Sequence, residues 1–182
     1  MLRVSKAMWL AMVVMVAWAT SAFAQPLKPD PRLTPGQLEN GLRYCVFAYS
    51  KNANKAAVWL QVSAGSMREA EDQRVAAHAI THLAFTGSAD FPGQAAVAML
   101  ERFGSPTSSD QVCTVTFDQT TFQIALPDNS PASMREALAF FRNVLSGLTL
   151  ADEDVGRVRD ALVAERAKML TPSARSGEEM MR

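Results

Sequence analysis

Apolar residues along this 182-residue chain follow two periods, and the order in which the periods alternate constrains the architecture most strongly. Alternation of apolar with polar residues marks a strand, and spacing by three and four marks a helix. Period two governs Leu42 to Tyr49 and Ala57 to Ser63, where Val58, Leu60 and Val62 alternate with Trp59, Gln61 and Ser63. Asn40-Gly41 is a turn signal before the first run, and the polar link Ser50 to Lys55 suits a hairpin joining the two. Asp72 to Phe85 and Gly93 to Phe103 read as helices, with Gly104 stopping the second. Thr114 to Leu126 reads as one long strand, in which Phe122, Ile124 and Leu126 alternate before Pro127. Ser130-Pro131 opens a further helix with the stripe Met134, Leu138, Phe141, Leu145 and a stop at Gly147. Thr149 with Asp152 forms a capping-box start for a last helix running to about Leu170. The order β-β-α-α-β-α-α predicts an α+β domain, helices covering one side of a small and incomplete sheet.

The N-terminus is of another kind. Arg3 and Lys6 make a basic start, Ala7 to Ala19 is uncharged and apolar, and Ala22-Phe23-Ala24 is a small-x-small cleavage signal before Gln25. Residues 1–24 therefore read as a signal peptide. The competing reading is an uncleaved anchor, but the apolar run falls short of the ~20 residues a bilayer span needs. The expectation is an exported protein, periplasmic in a bacterium, with no stable membrane anchor once the leader is cut. Pro26, Pro29, Pro31 and Pro35 make residues 25–36 an extended lead-in, which leaves 37–182 as the folded domain.

The charges balance, 18 Lys+Arg against 18 Asp+Glu, so no basic surface argues for nucleic acid as a partner. Two cysteines are too few for a disulfide scaffold or a four-cysteine metal site. In an oxidising compartment Cys45 and Cys113 either pair or remain two buried thiols on separate strands.

The chain's two histidines, His78 and His82, stand four residues apart. On a helix that spacing places both imidazoles on one face, one turn apart, within reach of a single metal ion. They also lie on the apolar stripe Val75, His78, His82, Phe85, which implies burial; a pair of core histidines bonded to backbone is the competing reading. In the last helix the stripe Val155, Val158, Leu162, Glu165, Met169 places a carboxylate at a core-facing position. Such a group needs a metal or a partner, unless the helix end is already in solvent or Arg166 or Lys168 neutralises it. Two histidines and one carboxylate form the ligand set of a catalytic zinc site with one open position.

These residues carry a resemblance. His78-Ala-Ile-Thr-His82-Leu-Ala-Phe85-Thr-Gly87, followed by Phe91-Pro92, resembles the inverted zinc motif of the pitrilysin/insulinase family of metallopeptidases. That motif is H-x-x-E-H followed by an aliphatic residue, Ala-Phe, a polar residue and Gly. Leu38-Glu-Asn-Gly-Leu42 is similar to the family's first strand, and Val62-Ser-Ala-Gly-Ser66 with Arg68-Glu69 to the strand and loop before the motif helix. Phe117 to Pro127 is similar to its central strand, and Val158 to Glu165, then Pro172 and Arg175, to the segment that supplies the third ligand. The resemblance covers roughly residues 37–178. It implies the mixed-sheet fold of pitrilysin and of mitochondrial processing peptidase, covered by helices and truncated at the C-terminal end of the domain. It also implies Zn2+ as cofactor, with His78, His82 and Glu165 as ligands.

The departures from the family pattern concern catalysis. Thr81 stands where the family has the glutamate that takes the proton of the attacking water. A hydroxyl cannot accept that proton at neutral pH, and loss of a positioned base costs on the order of 10²–10⁴ in rate. Val75 replaces a glycine, Val158 a supporting glutamate, and Gln111-Val112-Cys113-Thr114 stands where the family has Asn-Ala-x-Thr, without the substrate-contacting Asn. Family enzymes pair this domain with a second of similar fold. The expectation is thus an exported, zinc-binding, catalytically impaired homologue acting in or beside a two-component peptidase, with a second pitrilysin-like domain or subunit and a peptide or protein substrate. Two alternatives stand beside it: an active zinc endopeptidase that recruits another base from Glu69, Glu71 or Asp72, and a truncated remnant without independent function.

Overall fold

The computed structural model describes residues 28–49, 51 and 54–169. The proposed signal peptide, Pro172 and Arg175 lie outside the described residues. Contacts divide the chain into two compact units, one up to residue 50 and one from residue 51 onward.

The first unit is a hairpin. Strand β1 (Leu33–Gln37) pairs antiparallel with β2 (Arg43–Phe47), Pro35 opposite Cys45. Asn40-Gly41 makes its turn: Gly41 adopts φ 88°, open to a residue without Cβ, and Asn40 Oδ1 accepts the Leu42 N–H at 3.1 Å. The extended stretch read as a lead-in therefore ends in a strand. Pro35 is tolerated in this two-stranded ribbon because one edge of each strand is unpaired. Cys45 is exposed and Cys113 buried, and the two thiols are not joined in a disulfide.

In the second unit, β3 (Ala56–Val62), β4 (Cys113–Val115) and β5 (Thr120–Leu126) form an antiparallel sheet of order β3-β5-β4. Two expectations are corrected. The partner of β3 is β5 rather than β2, so the polar link is no hairpin loop. The long strand is itself a hairpin, β4 turning into β5 over Thr116 to Gln119, where the Thr116 N–H donates to the Gln119 carbonyl at 2.8 Å.

One sheet face builds the core. Val58 lies opposite Ile124 and Leu60 opposite Phe122, and these pair with helix side chains, whereas Trp59 stands 69% exposed on the other face. The core helices are α2 (Ala95–Phe103), closed by Gly104 at φ 65°, and α4 (Pro131–Ser146); between them lies the four-residue α3 (Ser109–Val112). Helix α4 begins as expected, with Ser130 capping the Ser133 N–H and Pro131 in the first turn. Its buried face is different, however: Ala137, Phe140, Phe141 and Val144 point inward while Leu138 and Leu145 are exposed. Phe140 stacks on Phe85 with centroids 5.5 Å apart and meets Phe91 edge-on at 5.9 Å. These aromatic contacts reward that face over the leucine stripe.

The same core fixes the elements that carry the histidines and Glu165. Phe85 follows α1 (Ala76–Leu83), and the chain beyond it is tied to the end of α4: the Ala89 N–H donates to the Gly147 carbonyl and the Thr149 N–H to the Gly87 carbonyl. Asn143, 3% exposed, accepts the Asp90 N–H through Oδ1 and donates through Nδ2 to the Asp90 carboxylate and the Ala139 carbonyl. Both of its N–H donors and its carbonyl oxygen are thereby engaged. Helix α5 (Asp152–Met169) starts from this joint and packs against α1. It begins at Asp152, with the Val155 N–H donating to the Ala151 carbonyl, so Thr149 lies too far upstream to cap it. Among the described residues, no helix is long and apolar enough to cross a membrane.

Candidate metal centre

The helix that carries the histidines starts later than its sequence pattern suggests. A single turn over Glu71–Gln73 precedes it, and Val75 then adopts φ 74°, ψ 6°, so that α1 begins only at Ala76. A left-handed β-branched residue is strained. Glu69 holds it there: one carboxylate oxygen accepts the Val75 N–H at 2.7 Å and the other the Ala77 N–H at 2.8 Å. Two N–H groups left orphaned at a helix start thus meet a charge of the sign the helix dipole favours.

With the first turn fixed, His78 and His82 lie one above the other. Their Nε2 atoms are 3.2 Å apart, with ring centroids at 4.9 Å and planes tilted by 54°. On α5, Val158 is buried and Leu162 half-buried, and Glu165 follows on the same face. Its Oε2 lies 3.9 Å from His78 Nε2 and 4.0 Å from His82 Nε2. The three side chains remain partly accessible, Glu165 at 26%. The centre is therefore at the rim of the core.

One ligand atom from each of His78, His82 and Glu165 falls within a mutual 4.8 Å, the spread over which one ion could be held. Tetrahedral zinc with bonds of 2.0–2.1 Å to two nitrogens sets those nitrogens about 3.3 Å apart. The observed 3.2 Å fits that edge, and the carboxylate, at 3.9 and 4.0 Å, needs to approach by roughly 0.6–0.7 Å to close the other two. The donor set fits too: two imidazole nitrogens and one carboxylate, with His78 and Glu165 lining one cleft and His82 beside them.

That cleft has a volume of about 460 Å3 and is lined by Glu69, Val75, His78, Thr81, Cys113 and Glu165 among others. Thr81 is 2% exposed, and its hydroxyl donates to the His78 carbonyl at 2.7 Å. Its one proton is thus committed to the helix backbone. Of the acidic residues before the motif, Glu69 reaches the cleft, but as the helix cap, with both oxygens bonded to backbone. Glu71 is exposed and within 3.4 Å of Arg74, and Asp72 is exposed as well. Val158, which stands in place of the family's supporting glutamate, is buried, and in the stretch 111–114 Val112 and Cys113 are buried while Gln111 and Thr114 are exposed.

One residue of the site escaped the sequence reading. Ser109, at the start of α3, places its Oγ 3.2 Å from His82 Nδ1. It sits in a run of Ser, Thr and Pro that reads only as a loop, and no periodicity marks it.

Known proteins resemble this chain in sequence and in fold. The family model described as Insulinase (Peptidase family M16) matches residues 44–179. The chain is 28% identical over 142 residues to the "Probable zinc protease PqqL" of Escherichia coli K12, covering 78% of this chain and 15% of that protein. It is 32% identical over 144 residues to "Protein YhjJ" of Salmonella typhimurium, covering 79% of this chain and 29% of that protein. It therefore spans less than a third of the length of these relatives. Among solved structures, the first half of the periplasmic protease PqqL from Escherichia coli superposes with a TM-score of 0.76 at 25% identity, over 85% of this chain and 33% of that one. Pitrilysin gives a TM-score of 0.61 over 78% of this chain, at an identity of 19% that speaks for the fold alone. Matched by that family model over residues 44–179, most of its length, the chain belongs to the insulinase family of peptidases, family M16.

Proposed function

We propose that this chain is an exported, zinc-binding member of the insulinase family whose own peptide-hydrolysing power is impaired. The observation that carries the reading is the meeting of His78, His82 and Glu165 within 4.8 Å, beside a threonine at position 81. Bound zinc supplies a Lewis acid that polarises a carbonyl and acidifies water. His78 and His82 would offer Nε2 to it from one helix face, and Glu165 a carboxylate that would offset part of its charge. Thr81 can hold a water through its oxygen lone pairs but cannot take a proton from it.

The names of the relatives support zinc and proteolysis as the context, and the periplasmic placing of PqqL supports export, with residues 1–24 as signal peptide, 25–36 as extended lead-in and 37–182 as the peptidase-like domain. Since the chain matches a third of the first half of that protease, a second pitrilysin-like domain or subunit is the partner proposed, with a peptide or protein as substrate between them. Among the described residues, the cleft is lined by two carboxylates, Glu165, read here as a metal ligand, and Glu69, bonded to the helix start, so neither is free to act as another base.

The test is metal analysis of the purified chain. One zinc per chain, lost in His78→Ala and in Glu165→Ala, is the expected result. Absence of zinc from the wild-type protein after incubation with the metal and desalting overturns it. Peptide hydrolysis by the wild-type chain at the rate of an intact family enzyme, abolished by chelation, overturns the impairment.

A further inference from the structure

We infer that Ser109 is a positioning residue for the metal centre: its hydroxyl holds His82 by Nδ1 so that Nε2 faces His78 and Glu165. The inference rests on the reading of those three residues as metal ligands and assigns a fourth residue to the site. An imidazole has two nitrogens, and a ring that offers one to a metal is oriented by whatever engages the other. On His82 the division is visible. Nε2 lies 3.2 Å from His78 Nε2 and 4.0 Å from Glu165 Oε2, while Nδ1, on the opposite edge of the ring, lies 3.2 Å from Ser109 Oγ. When Nε2 gives its lone pair to an ion, Nδ1 carries the proton and donates it to the hydroxyl oxygen, which accepts.

Ser109 can serve this role because its backbone is anchored. The Gln111 and Val112 N–H groups both donate to the Ser108 carbonyl, closing α3, and Val112 and Cys113 that follow are fixed in the core with exposures of 2% and 8%. From Cys113 the chain runs into β4, which packs against α1. The hydroxyl is therefore held from the core side, independently of α5. His78 has its own fixture, since Ala77 beside it is bonded to Glu69. Each histidine is thus steadied from a different segment, His78 through the helix start and His82 through its ring.

The test compares zinc affinity of the full chain by competition with a chromophoric chelator for wild type, Ser109→Ala and Ser109→Thr. Ser109→Ala is expected to weaken zinc binding by about 10–100-fold, the usual cost of removing an outer partner of a metal-bound histidine. Ser109→Thr, which keeps the hydroxyl, is expected to stay close to wild type. Nitrogen-resolved NMR of the two histidine rings in the zinc-loaded protein supplies a readout that general destabilisation does not move: in Ser109→Ala the Nδ1 proton of His82 exchanges faster while that of His78 is unchanged. Equal affinity in wild type and Ser109→Ala overturns this inference alone. Failure of the wild-type chain to bind zinc overturns the metal centre and this inference with it. Should Ser109→Ala lose affinity and Ser109→Thr lose it equally, packing rather than the hydroxyl is responsible, and the inference falls.

Discussion

Glu69 bonds the backbone N–H of Val75 at 2.7 Å, and thereby holds a β-branched residue at φ 74° at the start of the helix that presents both histidines. The left-handed region costs a side chain with Cβ about 1–2 kcal/mol, and Val75 is 43% exposed, so little packing offsets that cost. Val75→Gly relieves the strain but gives the unfolded chain more freedom. Thermal or urea unfolding is expected to show a net gain of about 0.5–1 kcal/mol. Glu69→Ala, which leaves two helix-start donors without their carboxylate, is expected to lose about 1–2 kcal/mol. A neutral Glu69→Ala would show that the carboxylate is no cap.

Thr81→Glu tests the impairment directly. Restoring a carboxylate between the histidines is expected to raise peptide hydrolysis by on the order of 10²-fold or more, in a zinc-dependent manner. The same change inserts a longer side chain where Thr81 is 2% exposed, so stability is expected to fall by about 1–3 kcal/mol. Activity assays and unfolding curves on one preparation check both, and no gain in hydrolysis from a folded variant counts against the role given to position 81.

Zinc is expected to raise the unfolding temperature, and a chelator to reverse the rise. A ligand present at a hundred times its dissociation constant adds about 2.7 kcal/mol. Scanning calorimetry against zinc concentration measures it, with Glu165→Ala as the control that shows little shift.

Asp90 sets an acid limit. The Asn143 side chain, and after it Arg142, hold its carboxyl below the usual 3.8. A carboxyl lowered in the folded state stabilises the protein above its unfolded value and loses that contribution as pH falls below 3.8 toward the folded one. Wild type is therefore expected to lose stability relative to Asp90→Asn below about pH 4, with a constant difference between them above about pH 5. Unfolding free energies across that range decide it.

Ser105 carries a buried hydroxyl with no hydrogen-bond partner among the described residues. Removing an unsatisfied polar atom relieves its desolvation cost, and Ser105→Ala is expected to stabilise the protein by about 1 kcal/mol in chemical denaturation.

The histidine spacing, the misplaced carboxylate at Glu165 and the α+β order were legible because each is a periodicity, and periodicity is what a linear chain displays. What the sequence did not display were contacts between distant segments. The Glu69 cap reaches across six residues to Val75, and no local pattern marks the resulting delay in α1. The turn at Thr116 to Gln119 contains neither Gly nor Pro; the Thr116 and Asp118 side chains build it, with Thr116 Oγ1 donating to Asp118 at 2.8 Å. In α4 two apolar stripes compete, and only the rings of Phe85 and Phe91, supplied from elsewhere, select the one through Phe140. Ser109 belongs to the same class, a residue given meaning by a histidine 27 positions away in sequence.

Between His82 and Glu165 the chain carries two strands, β4 and β5, and three helices, α2 to α4. An ion gripped by both would close that whole intervening stretch into a single ring, as a clasp does a necklace. Disorder gained on unfolding would then be smaller for as long as the clasp held. Metal release and loss of the fold would become neighbouring events on one pathway, so that metal occupancy would report the integrity of the stretch so enclosed.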